Sequence, residues 1–180
     1  MVLPGGHLYW PDGFERSVVL RDGARAVVRT LAGGDVAVVQ QVFDGLSDVS
    51  RRQRFVGPKP ALSARELELL AAVDHHDHEA LVAVEPETGR AVGEARVIRD
   101  REDGRVGEVA FAVADSWQGR GLGTSLAELL ARRTRELGIR TVRATLLADN
   151  VRSRALLRRM GRIVARRYDH GALELEVALD

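Results

Sequence analysis

The chain has no cysteine. Disulfides, thiolate metal ligands and an acyl-cysteine intermediate are therefore excluded. No run approaches about 20 uninterrupted apolar residues, so a membrane-spanning helix is not expected. The N-terminus lacks the basic region and apolar stretch of a secretory signal. A soluble cytoplasmic protein is the expectation. Lysine is nearly absent too: Lys59 is the one lysine among 27 basic residues. The sequence shows no internal repeat, linker or low-complexity segment. What is present suits a globular fold: 180 residues, 45% hydrophobic, fit one domain over residues 1–180, with residues 1–23 as an N-terminal strand and hairpin extension.

The net charge of +1 conceals a local excess. Between Gln118 and Tyr168 there are 13 arginines and only three acids, Glu128, Glu136 and Asp149. Such an excess suits a polyanion, either nucleic acid or a phosphorylated cofactor. The plainer reading is arginine codon preference and solvated helix faces.

Local signals divide the chain into strands and helices. Residues 17–20 and 24–31 flank Asp22-Gly23, a hairpin signal. Asp35 reads as the N-cap of a helix carrying Val36, Val39, Val42 and Phe43. A second short helix is expected over residues 51–55, and Ser63 with Glu66 forms a capping box opening a third. Residues 74–79 read as a polar loop. Strands follow at residues 80–85, 91–99 and 106–114, an antiparallel meander. Leu122, Leu126, Leu129, Leu130 and Leu137 then recur at helical spacing and end at Gly138. A strand at residues 141–147, a helix at residues 151–160 and a final antiparallel pair at residues 163–168 and 172–179 complete a mixed α/β layer fold.

The run Gln118-Gly119-Arg120-Gly121-Leu122-Gly123-Thr124 lies between a strand and a helix. The first N–H groups of a helix have no internal partner, and the helix dipole favours an anion there. Glycines let a pyrophosphate approach the backbone. A Walker loop would need Gly-Lys-Ser/Thr, and there is no lysine here. A dinucleotide fingerprint would need glycine where Thr124 stands, and would open a repeated parallel unit.

Residues 113–124 resemble the acetyl-CoA-binding signature of the GNAT superfamily, Q/R-x-x-G-x-G/A, matched by Gln118, Gly121 and Gly123. The resemblance implies a GNAT-like α/β (α+β mixed) fold. Its central sheet is mixed but mostly antiparallel, with a splayed strand pair and helices on both faces. It also implies that amides from Gly119 through Arg120, Gly121, Leu122 and Gly123 to Thr124 hold the pyrophosphate of acetyl-CoA. Val113 would pair its backbone with pantetheine, an N–H near Phe111 would polarise the acetyl carbonyl, and Asn150 would meet the pantetheine arm.

Acyl transfer to an amine needs the neutral amine. A lysine-type group with pKa ~10.4 is protonated at pH 7 by a margin on the order of 4–5 kcal/mol, so a base is useful. Glu108 is the candidate: a carboxylate in an otherwise apolar strand, beside the small residues Ala110 and Ala112. Its plain alternative is a strand-end glutamate reaching solvent. Glu94 and Asp115 are weaker candidates, Asp115 as a capping acid. For the general acid, family members carry tyrosine where this chain has Leu157. Ser153 and Tyr168 are only speculative substitutes, and CoA thiolate leaves adequately unaided.

Segments upstream narrow the resemblance. Residues 16–23, 46–55, 62–74 and 80–84, with Glu108-Val109-Ala110-Phe111, resemble Pat-type bacterial protein lysine acetyltransferases, from about Tyr9 to Gly161. That implies acetyl-CoA as co-substrate and a protein acceptor such as an acyl-CoA synthetase, with no nucleic acid or membrane partner. Pat-type proteins often carry a regulatory module, and 180 residues leave no room for one. A stand-alone form or a catalytic part is expected. A small-amine acetyltransferase and a non-catalytic acyl-CoA sensor remain alternatives. Asp74-His75-His76-Asp77-His78 has the composition of a divalent-ion site. In a loop these side chains diverge, so a solvated loop near the acceptor entrance and no metal are expected.

Overall fold

A computed structural model describes residues 14–180. The first part of the expected N-terminal extension, residues 1–13, lies outside the described residues, and Tyr9 with it.

The elements run β1 (Glu15–Val19), β2 (Arg25–Thr30), α1 (Val36–Asp44), α2 (Asp48–Phe55), α3 (Ala64–Ala71), β3 (His78–Val84), β4 (Ala91–Arg99) and β5 (Val106–Val113). A 3₁₀ turn (Asp115–Trp117) leads to α4 (Leu122–Glu136), then β6 (Thr141–Leu147), α5 (Val151–Met160), β7 (Arg162–Asp169) and β8 (Ala172–Ala178). The eight strands form one sheet in the order β1-β2-β3-β4-β5-β6-β8-β7. Every pairing is antiparallel except β5 with β6. A parallel pair needs a crossover connection, and α4 supplies it.

Capping explains where the helices begin. Asp35 Oδ1 accepts the Val38 N–H at 3.2 Å, and Ser63 with Glu66 closes the expected capping box. The helix expected at residues 51–55 starts earlier, at Asp48, because the Ser47 hydroxyl accepts the Ser50 N–H and so supports an added turn.

α4 and α5 pack on one face of the sheet around Leu126, Leu130, Leu157, Val142, Leu175 and Val177. α1 packs on the other over Val82, Ala91 and Ala112, with α3 beyond it against Ala80. β3 is covered on both faces and is buried almost throughout, so it shows no alternation. β6 alternates buried and open residues: Val142, Ala144 and Leu146 face the core, while Arg143 and Thr145 face out.

One expectation needs correcting. The polar loop at residues 74–79 gives way to strand at His78, and Glu79 is wholly buried. Arg133 Nε of α4 donates to Glu79 Oε2 at 2.8 Å, and the Ala80 N–H donates to Oε1 at 3.0 Å. The His75 ring stands 2.9 Å from Oε1. A buried carboxylate survives only when paired, and its partner lies 54 residues away, out of reach of local pattern.

Candidate active site

The glycine-rich turn follows directly from β5. Gly119 has φ +74° and Gly121 φ +101°, a region that side chains other than glycine's rarely adopt. Gly121 is the N-terminal boundary of α4, and no side chain caps that end. By contrast, α1, α2, α3 and α5 are each capped by a side chain: Asp35, Ser47, Ser63 and Asn150. The first amides of the longest helix are thus left for an outside acceptor.

Beside this turn the sheet opens. β5 and β6 pair only at Val106↔Thr141, Gly107↔Val142 and Glu108↔Arg143. The Ala114 N–H donates to Val92 O of β4 at 2.8 Å. By strand alternation Phe111 and Val113 aim their backbone groups the other way, into the gap left by β6. The Val113 carbonyl is already satisfied there: Gln118 Nε2 donates to it at 2.9 Å. The Val113 N–H and the Phe111 backbone are the groups that face the gap.

A cavity of about 270 Å³ joins these features. Of the residues expected at the site, Phe111, Val113, Gln118, Gly119, Gly121, Gly123, Thr124 and Asn150 line it. Leu122 does not; its side chain is buried in the core, so only its backbone serves the turn. Arg120 does not line it either. Its Nε donates to Asp22 Oδ2 at 2.5 Å and its guanidinium lies 4.5 Å from the Trp117 ring centre. Hydrogen bonding to Arg120 holds the Asp22 carboxyl below the usual carboxylate range. Gln118 is a brace as much as a wall: besides Val113 it donates to Ser50 Oγ at 3.1 Å, and Arg152 Nη1 donates to its Oε1 at 2.5 Å. Asn150 Oδ1 accepts the Ser153 N–H at 3.0 Å, which starts α5 at the cavity wall.

The same cavity holds residues that sequence reasoning missed, above all Arg21, Gln53, Arg54 and Arg152. Arg21 arrives because the β1–β2 turn folds onto the glycine turn, where its N–H donates to Arg120 O at 3.0 Å. Its side chain crosses Gly121, with Nε 3.7 Å from where a Cβ would stand. Arg21, Arg54 and Arg152 give the wall three guanidiniums and no carboxylate. Of the three, only Arg152 falls in the arginine-rich stretch between Gln118 and Tyr168; Arg21 and Arg54 carry no such signal.

Glu108 lies elsewhere. It is exposed, on the opposite face of β5 from Phe111 and three residues before it. It lines a separate groove of about 630 Å³ with Ile98, Arg143, Thr145, Glu174 and Glu176. The buried setting that made this carboxylate unusual is therefore not what the structure gives; the strand-end position reaching an open groove is. The Glu108 side chain makes no hydrogen bond or ion pair among the described residues, though its charge acts on Arg54, whereas Arg143 is held by Glu176 at 2.8 Å.

The other titratable candidates are occupied. Asp115 Oδ1 accepts the Ser47 N–H at 3.2 Å; burial pushes its carboxyl up, but hydrogen bonds from Ser47 and Ser50 outweigh this and hold it low. Burial likewise pushes Glu94 up, and Arg96 and Arg54 outweigh it. Leu157 is fully buried among apolar residues, and Tyr168 is exposed on β7. In the 74–78 segment, Asp74 Oδ1 accepts three backbone N–H groups, and the His78 ring bonds Ala72 O and Arg96. Among the described residues no cluster has the form of a metal site, and no helix is long and apolar enough to cross a membrane.

Comparison with known proteins gives the family. Residues 45–161 match the model of the acetyltransferase (GNAT) family. The acetyltransferase Pat of Mycolicibacterium smegmatis is 31% identical over 163 residues, covering 89% of this chain and 47% of the relative. The chain thus spans about half that relative's length. The GNAT domain of S. lividans PAT superposes with TM-score 0.84 at 31% identity, covering 95% of this chain and all of that one. The yncA protein of Salmonella typhimurium, solved with its cofactor acetyl-CoA, shares the fold at TM-score 0.67 and 19% identity, with 86% and 94% of the chains covered. The protein belongs to the GNAT acetyltransferase family. Within it, two relatives at 31% identity are a Pat acetyltransferase and the GNAT domain of a PAT.

Proposed function

We propose that this chain is a cytoplasmic protein lysine acetyltransferase, drawing on acetyl-CoA and acting on a lysine ε-amine of a protein such as an acyl-CoA synthetase. The observation that carries this reading is the parting of β5 from β6 directly after the Glu108↔Arg143 pair. The uncapped α4 terminus and the free β5 backbone meet at one cavity, and Glu108 lines a separate groove at the earlier end of the same strand.

In this reading the cofactor's pyrophosphate meets amides 119–124 and Arg21, and its pantetheine arm runs between β5 and Asn150. The thioester lies at Phe111, whose N–H stabilises charge developing on the carbonyl oxygen. The acceptor enters from the groove beside Glu108. Along a strand, three residues span about 10 Å, so Glu108 takes the amine proton directly or through a water. The amine nitrogen then attacks the carbonyl carbon in a ternary complex, the C–S bond breaks and CoA leaves as thiolate. Removing the ammonium proton is worth on the order of 4–5 kcal/mol at neutral pH.

The test is an acetylation assay with a purified acetyl-CoA synthetase beside a panel of small amines. Acetyl-lysine on the synthetase supports the proposal. Turnover of small amines alone supports a small-molecule acetyltransferase, and acetyl-CoA binding without turnover supports a sensor. Full activity of Glu108→Gln at neutral pH would remove Glu108 from the mechanism.

A further inference from the structure

The buried polar cluster beside the cofactor cavity is not balanced. Glu94 and Arg96 of β4 and Arg54 of α2 meet beneath α1 and α3, with His78 of β3. Glu94 gives both oxygens to Arg96: Nη2 donates to Oε2 at 2.5 Å and Nε to Oε1 at 3.2 Å. Arg96 spends Nη1 on Leu70 O at 2.8 Å, and the same nitrogen faces His78 Nε2 at 3.0 Å. Burial and the Arg96 charge hold His78 below its usual value, so it brings no charge near neutral pH. The cluster therefore contains two guanidiniums and one carboxylate, whose short hydrogen bonds go to Arg96 and whose charge Arg54 shares from 3.6 Å.

Arg54 is the residue left over. Its side chain is only 13% exposed, and its single ion-pair contact among the described residues is Nη2 to Glu94 Oε1 at 3.6 Å, longer than a hydrogen bond. Its Nε is buried with no acceptor. A guanidinium cannot shed its charge, and a buried one whose hydrogen bonds are incompletely met is costly. The Arg54 guanidinium also lies 4.9 Å from the Phe55 ring centre, and the Glu94 and Glu108 charges act on it, yet no carboxylate forks onto it at hydrogen-bond distance. Arg54 lines the cofactor cavity next to Leu46, Phe111 and Ala112. That is the β5 end of the cavity, away from the amides of residues 119–124 that would take the phosphates.

Resting on the acyl-CoA reading of this cavity, we propose that Arg54 is a carboxylate clamp, and that the site takes CoA thioesters of short dicarboxylic acids, malonyl and succinyl, besides acetyl-CoA. These acyl groups place a carboxylate one or two methylenes beyond the thioester carbonyl. The planar fork of arginine matches that group bidentately. The transfer step is unchanged: the amine nitrogen bonds the carbonyl carbon, the C–S bond breaks, the amine proton passes to the base, and CoA departs as thiolate. The acceptor then carries a negative charge where it carried a positive one.

The experiment is calorimetric binding of paired ligands to the whole chain: malonyl-CoA against isovaleryl-CoA, and succinyl-CoA against 4-methylpentanoyl-CoA. Each pair differs by a carboxylate in place of an isopropyl group. The wild type should favour the carboxylate by about 10-fold or more, the worth of a charge-assisted hydrogen bond. Arg54→Met should reduce that ratio to about 2-fold or less, and Arg54→Lys should fall between, since it keeps the charge and loses the fork. A wild-type ratio near one, or a ratio unchanged in Arg54→Met, overturns the proposal. Should Arg54→Met fail to fold, the wild-type ratios decide alone. Acetyl-CoA is the reference arm: if it does not bind, the acyl-CoA reading falls, whereas binding of acetyl-CoA with no carboxylate preference refutes the clamp only.

Discussion

Arg21 offers a clean test of how the cofactor is held. Its side chain crosses Gly121 at the uncapped start of α4, placed there by the β1–β2 turn. If the pyrophosphate sits on those amides, Arg21 donates a charge-assisted hydrogen bond to it. Such a bond is worth about 1.5–3 kcal/mol when sheltered. Arg21 is exposed at the cavity rim, so screening favours the lower end. Arg21→Met should then weaken acetyl-CoA about 10-fold, read as Kd by calorimetry and as KM in turnover. S-acetylpantetheine, which has no phosphate, should bind the variant and the wild type equally. A dephospho-CoA thioester separates the pyrophosphate from the 3′-phosphate and should still register the loss. Raising the salt should narrow the gap between variant and wild type. Equal losses with acetyl-CoA and S-acetylpantetheine would mean that the substitution had disturbed the turn instead, and the phosphate assignment would be refuted.

Four further outcomes are expected. Glu108→Gln should lower kcat about 10²–10⁴-fold at pH 7 while acetyl-CoA Kd stays put, because Glu108 lies outside the cofactor cavity; a coupled-thiol rate assay with calorimetry separates the two. Gly121→Ala, at φ +101°, should cost about 1–2 kcal/mol of stability by urea unfolding and weaken acetyl-CoA binding. Arg133→Met leaves the buried Glu79 carboxylate short of a partner and should cost about 3–5 kcal/mol, with much of that recovered in the Glu79→Gln/Arg133→Met double variant. Hydrogen bonds from Lys59 and Ser63 lower the Glu66 carboxyl from 4.5 to about 2. A depressed carboxyl stabilises the fold above its unfolded value, and that stabilisation is lost as pH falls through the folded one. Melting temperature should therefore drop between about pH 4.5 and 2 more steeply in wild type than in Glu66→Gln, whose neutral amide does not titrate; parallel curves would refute the linkage.

Much of this molecule was determined by short-range chemistry that can be read along the chain. The caps at Asp35 and Ser63 and the hairpin at Asp22-Gly23 each act over a few residues. The glycine turn is likewise local, because positive φ and an uncapped helix start are properties of residues 119–124 themselves. The resemblance in the same segment led to the GNAT family. Tertiary structure decided which side chains join that turn. Periodicity reports which face of an element is apolar, and says nothing of what folds against it. Arg21 reaches the turn through a contact with Arg120 far along the chain, and Arg54 reaches the cavity from α2. Glu79 looked like loop until its partner on α4 was seen. The position of Glu108 was of the same kind. Its strand was legible, but whether a helix covers it or a groove opens beside it depends on where β5 and β6 part, and that register is settled only when the whole sheet assembles.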